Sequence, residues 1–296
     1  MARMRPSGPS YAVLAALIVI LSTSGLWLAN ANEMPADTPP GATAPAATGI
    51  MGLAAAVDAG AFAREFEDAF PDLAGRSGVA VAEPGSGAPL IAGGLRSGVA
   101  WSTIKVPLSI AAWTQDPSPS THALIRSAIT TSDNDAAGRL WSLLGSGDQA
   151  ARQVASALVR GGDPVTSVQS RQVRPPFTPF GQSVWALTDQ SRFAARLPCL
   201  AGTGDLLAFM RAVTPEQRWG LGREPGAAIK GGWGPSGSGY LVRQLAAIVR
   251  PDGTISGVAM MVQSSDFTSG TVELSRIADW LSAQMASAPR SACTTP

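Results

Sequence analysis

The period of the apolar residues changes in a definite order along this chain, and that order limits the folds open to it. Leu53, Val57, Phe62, Phe66 and Phe70 recur at helical spacing, and Pro71 closes the run. Residues 78–82 and 89–92 then read as two short strands around the turn-rich Pro84-Gly85-Ser86-Gly87. Four helical stretches follow, at 102–115, 120–131, 135–144 and 148–160. Residues 161–183 hold four prolines and no sustained period, which predicts a long irregular loop of the kind that is often functional in compact domains. Helical spacing returns at 188–197 and 203–213. Strand-like runs come at 227–232, 240–249 and 256–263, the last two joined by Pro251-Asp252-Gly253, and an amphipathic helix at 272–285 closes the pattern. The expectation is an α+β fold: both chain ends build one antiparallel sheet packed with helices, and the middle of the chain forms an all-helical subdomain. A cleft between the two parts is the natural place for a site.

That domain is expected to span 51–288. Ahead of it Arg3 and Arg5 precede the apolar run from Ala12 to Leu21, and Ala29-Asn30-Ala31 ends the segment on small residues, so 1–31 reads as an export signal. An uncleaved membrane anchor is the alternative. Residues 32–50, rich in Pro, Ala and Thr, read as a tether, and 289–296 as a flexible tail. The expected location is extracellular, periplasmic or cell-wall associated, with membrane contact only through an N-terminal anchor. Export places Cys199 and Cys293 in an oxidising compartment, where they form either a disulfide closing a long loop or two separate thiols; spacing does not choose between these. With 45% hydrophobic residues there is material for a substantial core, and a net charge of +1 provides no long-range field for nucleic acid or an anionic membrane. The expected partner is a small molecule and the expected state a monomer.

Of the 22 lysines and arginines, only Lys105 and Lys230 are lysines. A buried ammonium can lose its proton at moderate pH, whereas a guanidinium stays charged, so two lysines in an arginine-rich chain point to proton exchange. Lys105 lies in Ser102-Thr103-Ile104-Lys105 at an expected helix start, where positions i and i+3 share a face. An amine there can take the proton of the serine hydroxyl, and the helix N-terminus offers an N–H to a developing oxyanion. Pro107 is expected to distort the second turn. Ser132-Asp133-Asn134 follows between two helices; it suits a helix cap, and it also suits a hydroxyl and a carboxamide projecting into a cleft. Lys230-Gly231-Gly232-Trp233 lies on an expected strand, where glycine lets a ligand or backbone approach.

Each of these patterns alone is weak. Together and in this order they resemble the serine β-lactamase and penicillin-binding protein superfamily, closest to class A β-lactamases, over about 51–285. The resemblance implies Ser102 as acylated nucleophile, Lys105 as its base, Ser132 as proton shuttle, Asn134 as anchor for substrate and lysine, and Lys230 as partner of a substrate carboxylate. It implies that Gly232 and Trp233 border the substrate, with the Trp233 N–H completing an oxyanion hole. The substrate would be a β-lactam or a D-alanyl peptide, and no cofactor or metal is implied.

Three departures bear on function. Gly231 stands where the family has Thr or Ser, which removes a hydroxyl from the carboxylate grip, a loss of about 1–3 kcal/mol. The loop at 161–183 lacks the family's Glu and Asn; its one carboxylate, Asp163, sits in a Gly-Gly-Asp-Pro turn, and Asp189 just beyond reads as a helix start. The first two motifs are also closer together than in class A, which predicts a smaller helical block and a more open cleft. The resulting expectation is an enzyme that is acylated but turns over slowly. The alternatives are a peptidoglycan D,D-peptidase and a non-catalytic binding protein on the same fold. The only histidine, His122, lies in a polar segment and is expected at the surface, which leaves a Ser-His-Asp triad without its base.

Overall fold

Three consecutive strands, β5 (Ala227–Ser236), β6 (Gly239–Val249) and β7 (Ile255–Ser264), are buried along nearly their whole length, so the sheet they form needs cover on both faces. A computed structural model gives the arrangement for residues 58–293, Ser86 and Ser238 excepted. The stretches expected to be an export signal and a tether, and residues 294–296, lie outside the described residues. Two strands from the start of the chain, β1 (Ser77–Ala82) and β2 (Leu90–Ala92), complete the sheet in the antiparallel order β2-β1-β7-β6-β5. Side chains alternate as the pleat requires. Val79, Val81, Val258, Met260 and Val262 face one core with Phe62, Phe66, Leu274, Ile277 and Leu281 of α1 (Ala59–Ala69) and α8 (Phe267–Gln284). Ala80, Ala259 and Met261 face the other way, against Leu187 at the start of α6 (Leu187–Arg196).

The helical half is arranged around α2 (Lys105–Gln115), whose Val106, Leu108, Ala111 and Ala112 are buried among α3 (Pro119–Thr130), α4 (Asn134–Leu143) and α5 (Gly147–Arg160). Ile129, Leu140, Val154 and Leu158 close that core, each contributing about 1.5–3 kcal/mol of burial. The caps expected from Ser and Asp at the joints are present: Ser118, Asp133 and Ser146 accept from the first-turn N–H groups of α3, α4 and α5. A short helix, α7 (Gly204–Arg211), follows α6.

Several local expectations need correction. The stretch beginning at Ser102 is not α-helical at first: Trp101–Ile104 is a 3-10 turn, and α2 starts at Lys105. Pro107 therefore occupies the first turn of α2, where its missing N–H has no intrahelical partner to lose, so it does not distort the helix. The closing helix starts at Phe267, capped by Asp266, rather than at 272. A small two-stranded sheet that periodicity did not signal, β3 (Ser97–Val99) with β4 (Val184–Ala186), ties the segment before Ser102 to the end of the long loop. Residues 289–293 are also held, contrary to a free tail: Ser291 pairs with Ile255 through backbone hydrogen bonds, and Cys293 is bonded to Cys199.

Candidate active site

Between the sheet edge at β5 and the helical half lies a cleft of about 860 Å³ lined by Ser102, Lys105, Ser132, Asn134 and Trp233. Its walls also carry Trp101, Tyr240, and Pro176, Phe177, Thr178, Phe180 and Gly181 from the long loop. Ser102 is partly exposed to it.

Lys105 is almost wholly buried and turned toward the Ser132-Asp133-Asn134 segment. Its Nζ lies 2.6 Å from Ser132 O, 2.8 Å from Asn134 Oδ1 and 3.3 Å from Ser132 Oγ. Burial pulls its pKa down to about 7, only partly offset by the Asp133 carboxylate. A neutral amine has two N–H groups, which the two short contacts use, and a lone pair left over to accept from a hydroxyl. Ser102 Oγ makes no hydrogen bond to this amine in the structure. Contacts of this kind commonly tighten only once substrate is bound.

Lys230, fully buried on β5, donates to Ser132 Oγ at 2.9 Å and to Gly231 O at 2.9 Å. Burial, and then the charge of Lys105, hold its pKa far below that of an ordinary lysine. The two lysines of the chain thus converge on one hydroxyl. The helix-cap and cleft readings of the Ser-Asp-Asn triplet both hold, divided among its residues: Asp133 caps α4 and accepts from Ser127 Oγ, while Ser132 and Asn134 face the amines.

Backbone strain is concentrated here as well. Among the described residues, the non-glycine residues with positive φ are Trp101 (49°) and Ser132 (58°), and both line the cleft. Side chains other than glycine enter this region at a cost, and such residues gather at functional sites. Gly232 makes room for the turn: a Cβ on it would stand 2.9 Å from both Ala100 O and Ser102 N. This close approach puts the edge strand β5 against the turn at Ser102.

Gly231 has a different cause. A Cβ there would meet Cζ2 of Trp219 at 2.7 Å and Cη2 at 3.0 Å, so an indole occupies the space a larger side chain would need. Trp219 is itself locked edge-on against Trp233 and Phe267. Gly231→Thr is therefore expected to destabilise the fold by about 1–3 kcal/mol through overpacking. The loss should be relieved by combining it with Trp219→Ala. Chemical denaturation of the two variants checks this, and an undiminished stability in the single variant would contradict it.

The carboxylates near the long loop are occupied elsewhere. Asp163 is buried and accepts from Trp185 Nε1 at 2.8 Å and from the N–H groups of Val165 and Thr166. Asp189 lies in the first turn of α6, paired with Arg192. Asp135 of α4 is the carboxylate that lines the cleft. His122 packs tilted and edge-on between Trp113 and Phe209 and bonds Asp205 at 3.1 Å, away from the cleft. Sequence reasoning missed the wall residues Trp101, Phe177 and Tyr240 and the filling role of Trp219. The length of the loop was the one signal for its part in the wall.

No protein-family model and no curated protein matches the chain. The solved structures do. The TLA-3 extended-spectrum β-lactamase superposes with a TM-score of 0.60 at 16% identity, covering 76% of this chain and 99% of its own. A β-lactamase from Streptosporangium roseum gives 0.59 at 15% identity, over 77% and 99%. PBP-A gives 0.56 at 20% identity, over 76% and 96%. The described part of the chain accordingly has the fold shared by class A β-lactamases and PBP-A.

Proposed function

We propose that this chain is an exported penicillin-recognising serine hydrolase, a divergent member of the superfamily whose fold it has, and that it acts on an amide through an acyl-enzyme at Ser102. The observation that carries this reading is the meeting of the only two lysines on Ser132 Oγ, beside a partly exposed serine at the mouth of a cleft. Lys105, with a pKa brought to about 7, is neutral in a good fraction of molecules at neutral pH and can take the Ser102 proton. Ser132, bonded to both amines, can hand a proton to the departing nitrogen. The Ser102 and Trp233 N–H groups are the oxyanion donors in this reading, and Lys230 meets a substrate carboxylate, whose charge favours its protonated form.

Deacylation is the weak step. The loop residues lining the cleft, among them Phe177, Thr178 and Phe180, include no carboxylate to activate a water. This supports slow turnover and keeps a D,D-peptidase, with its acyl group passed to another acceptor, as the second reading. Intact-mass measurement after exposure to benzylpenicillin tests the proposal. The expected result is a long-lived adduct of one penicillin on the wild type and none on Ser102→Ala. An unmodified wild type would leave a non-catalytic binding protein. Parallel assays with a chromogenic cephalosporin and a D-alanyl-D-alanine peptide separate the two enzyme readings.

A further inference from the structure

Beneath the nucleophile turn lies an arginine that the proposed chemistry does not use. Arg243, on β6 directly opposite Gly232, is fully buried, and no carboxylate pairs with it among the described residues. Burial pulls its pKa down to about 9. A buried cation without a counter-ion is disfavoured against an apolar side chain of the same size, so its retention asks for a reason. Its two terminal nitrogens are spent on oxygens that surround the turn, while Nε has no partner among the described residues: Nη1 donates to Gly98 O at 2.8 Å and Val99 O at 3.1 Å, and Nη2 to Trp185 O at 3.2 Å and Gln190 Oε1 at 2.6 Å.

From Gln190 the chain of bonds runs to the turn itself. Gln190 Nε2 donates to Thr103 Oγ1 at 2.9 Å, and Thr103 Oγ1 donates to Ala100 O at 2.6 Å. Gln190 and Thr103 are as buried as the arginine. The direction of this relay is fixed by chemistry. A guanidinium only donates, so the amide must turn its oxygen to Arg243 and its NH₂ to Thr103, and the hydroxyl has its own proton left for Ala100 O alone. Ala100 and Thr103 flank Trp101 and Ser102, so the relay clamps both sides of the left-handed residue that precedes the nucleophile.

We infer that Arg243, Gln190 and Thr103 form a directed hydrogen-bond relay whose role is to hold the strained Ala100–Thr103 turn and so aim Ser102 into the cleft. They are positioning residues, and the inference rests on the reading of Ser102 as nucleophile. Displacement of a reacting group by even an ångström can cost about 100-fold in rate, so loss of the relay is visible in the chemical step with substrate affinity kept.

Two variants separate positioning from simple support of the fold. Gln190→Glu supplies the arginine with a counter-ion, yet faces Thr103 with an acceptor and draws its proton away from Ala100 O. Thr103→Val removes the hydroxyl at nearly constant shape, and Thr103→Ser restores it. The measurement is stopped-flow acylation by a fluorescent penicillin, which resolves the initial affinity from the limiting rate, with Tm recorded alongside. The expected result is a limiting rate about 100-fold lower in Gln190→Glu and Thr103→Val. Initial affinity should be unchanged, Tm kept or raised in Gln190→Glu, and the rate largely recovered in Thr103→Ser. Wild-type labelling with unaltered rates in both variants would overturn the relay alone. A wild type that takes no label would overturn the nucleophile reading and the relay with it.

Discussion

With Ser102 as the proposed nucleophile, Lys105→Met is expected to slow its acylation about 100- to 10,000-fold, the range associated with loss of a positioned general base. Methionine matches the length of the lysine stem in a site that is 1% exposed, but Ser132 O and Asn134 Oδ1 lose their donor at a cost of about 1–3 kcal/mol each, so Tm is recorded alongside to separate that cost from the loss of proton transfer. The pH profile of the wild type supplies the companion result. The amine, held near 7 chiefly by desolvation, is protonated and blocked below that value and free to accept above it. Acylation therefore rises with pH through about 7 and levels off beyond it, and the rise disappears in Lys105→Met. Labelling rates measured from pH 5 to 9 on both proteins check the prediction. A flat wild-type profile, or a variant as fast as the wild type, would leave the amine without a part in the chemistry.

The second large effect concerns stability. Cys199 follows α6 and Cys293 lies near the chain's end, and the bond between them closes a loop with a separation of 94 residues. In the chain-entropy account, a loop of this size restrains the unfolded state by about 4–5 kcal/mol. The double variant Cys199→Ala, Cys293→Ala should lose stability of that order, which corresponds to a fall in Tm of about 10–20 °C for a domain of this size. Calorimetry on the oxidised wild type and the variant measures it. A difference too small to resolve would mean that the contacts of Ser291 with Ile255 and Pro84 already hold the end of the chain unaided.

Much of this architecture was legible because it is written in local chemistry. The helix starts at Ser118, Asp133 and Ser146 are signalled by capping side chains, and the pairing of β6 with β7 is signalled by the turn residues Pro251-Asp252-Gly253 between them. The two lysines stood out because the rest of the chain uses arginine. What was hidden depends on residues distant in sequence. Positive φ at a tryptophan has no composition cue, and neither does a three-residue strand such as β3, whose partner lies beyond the whole helical block. Gly231 read as a missing hydroxyl, whereas its cause is the ring of Trp219 from another segment. Arg243 sits beside Gln244 in a mostly apolar strand and gave no hint of the oxygens it would gather.

The register of the sheet carries one more consequence. β1, formed early in the chain, has its longest partner in β7, and β5 reaches the turn at Ser102 only as part of that same late hairpin. Contacts of such sequence separation form slowly, since most of the polypeptide must be present before any of them can be made. A nascent or C-terminally shortened chain lacks β5 against the turn at Ser102, and the core of its helical half lacks Ala228, Leu245 and Ala247. Under the function proposed above, reactivity toward acylating compounds then depends on the last strands to arrive.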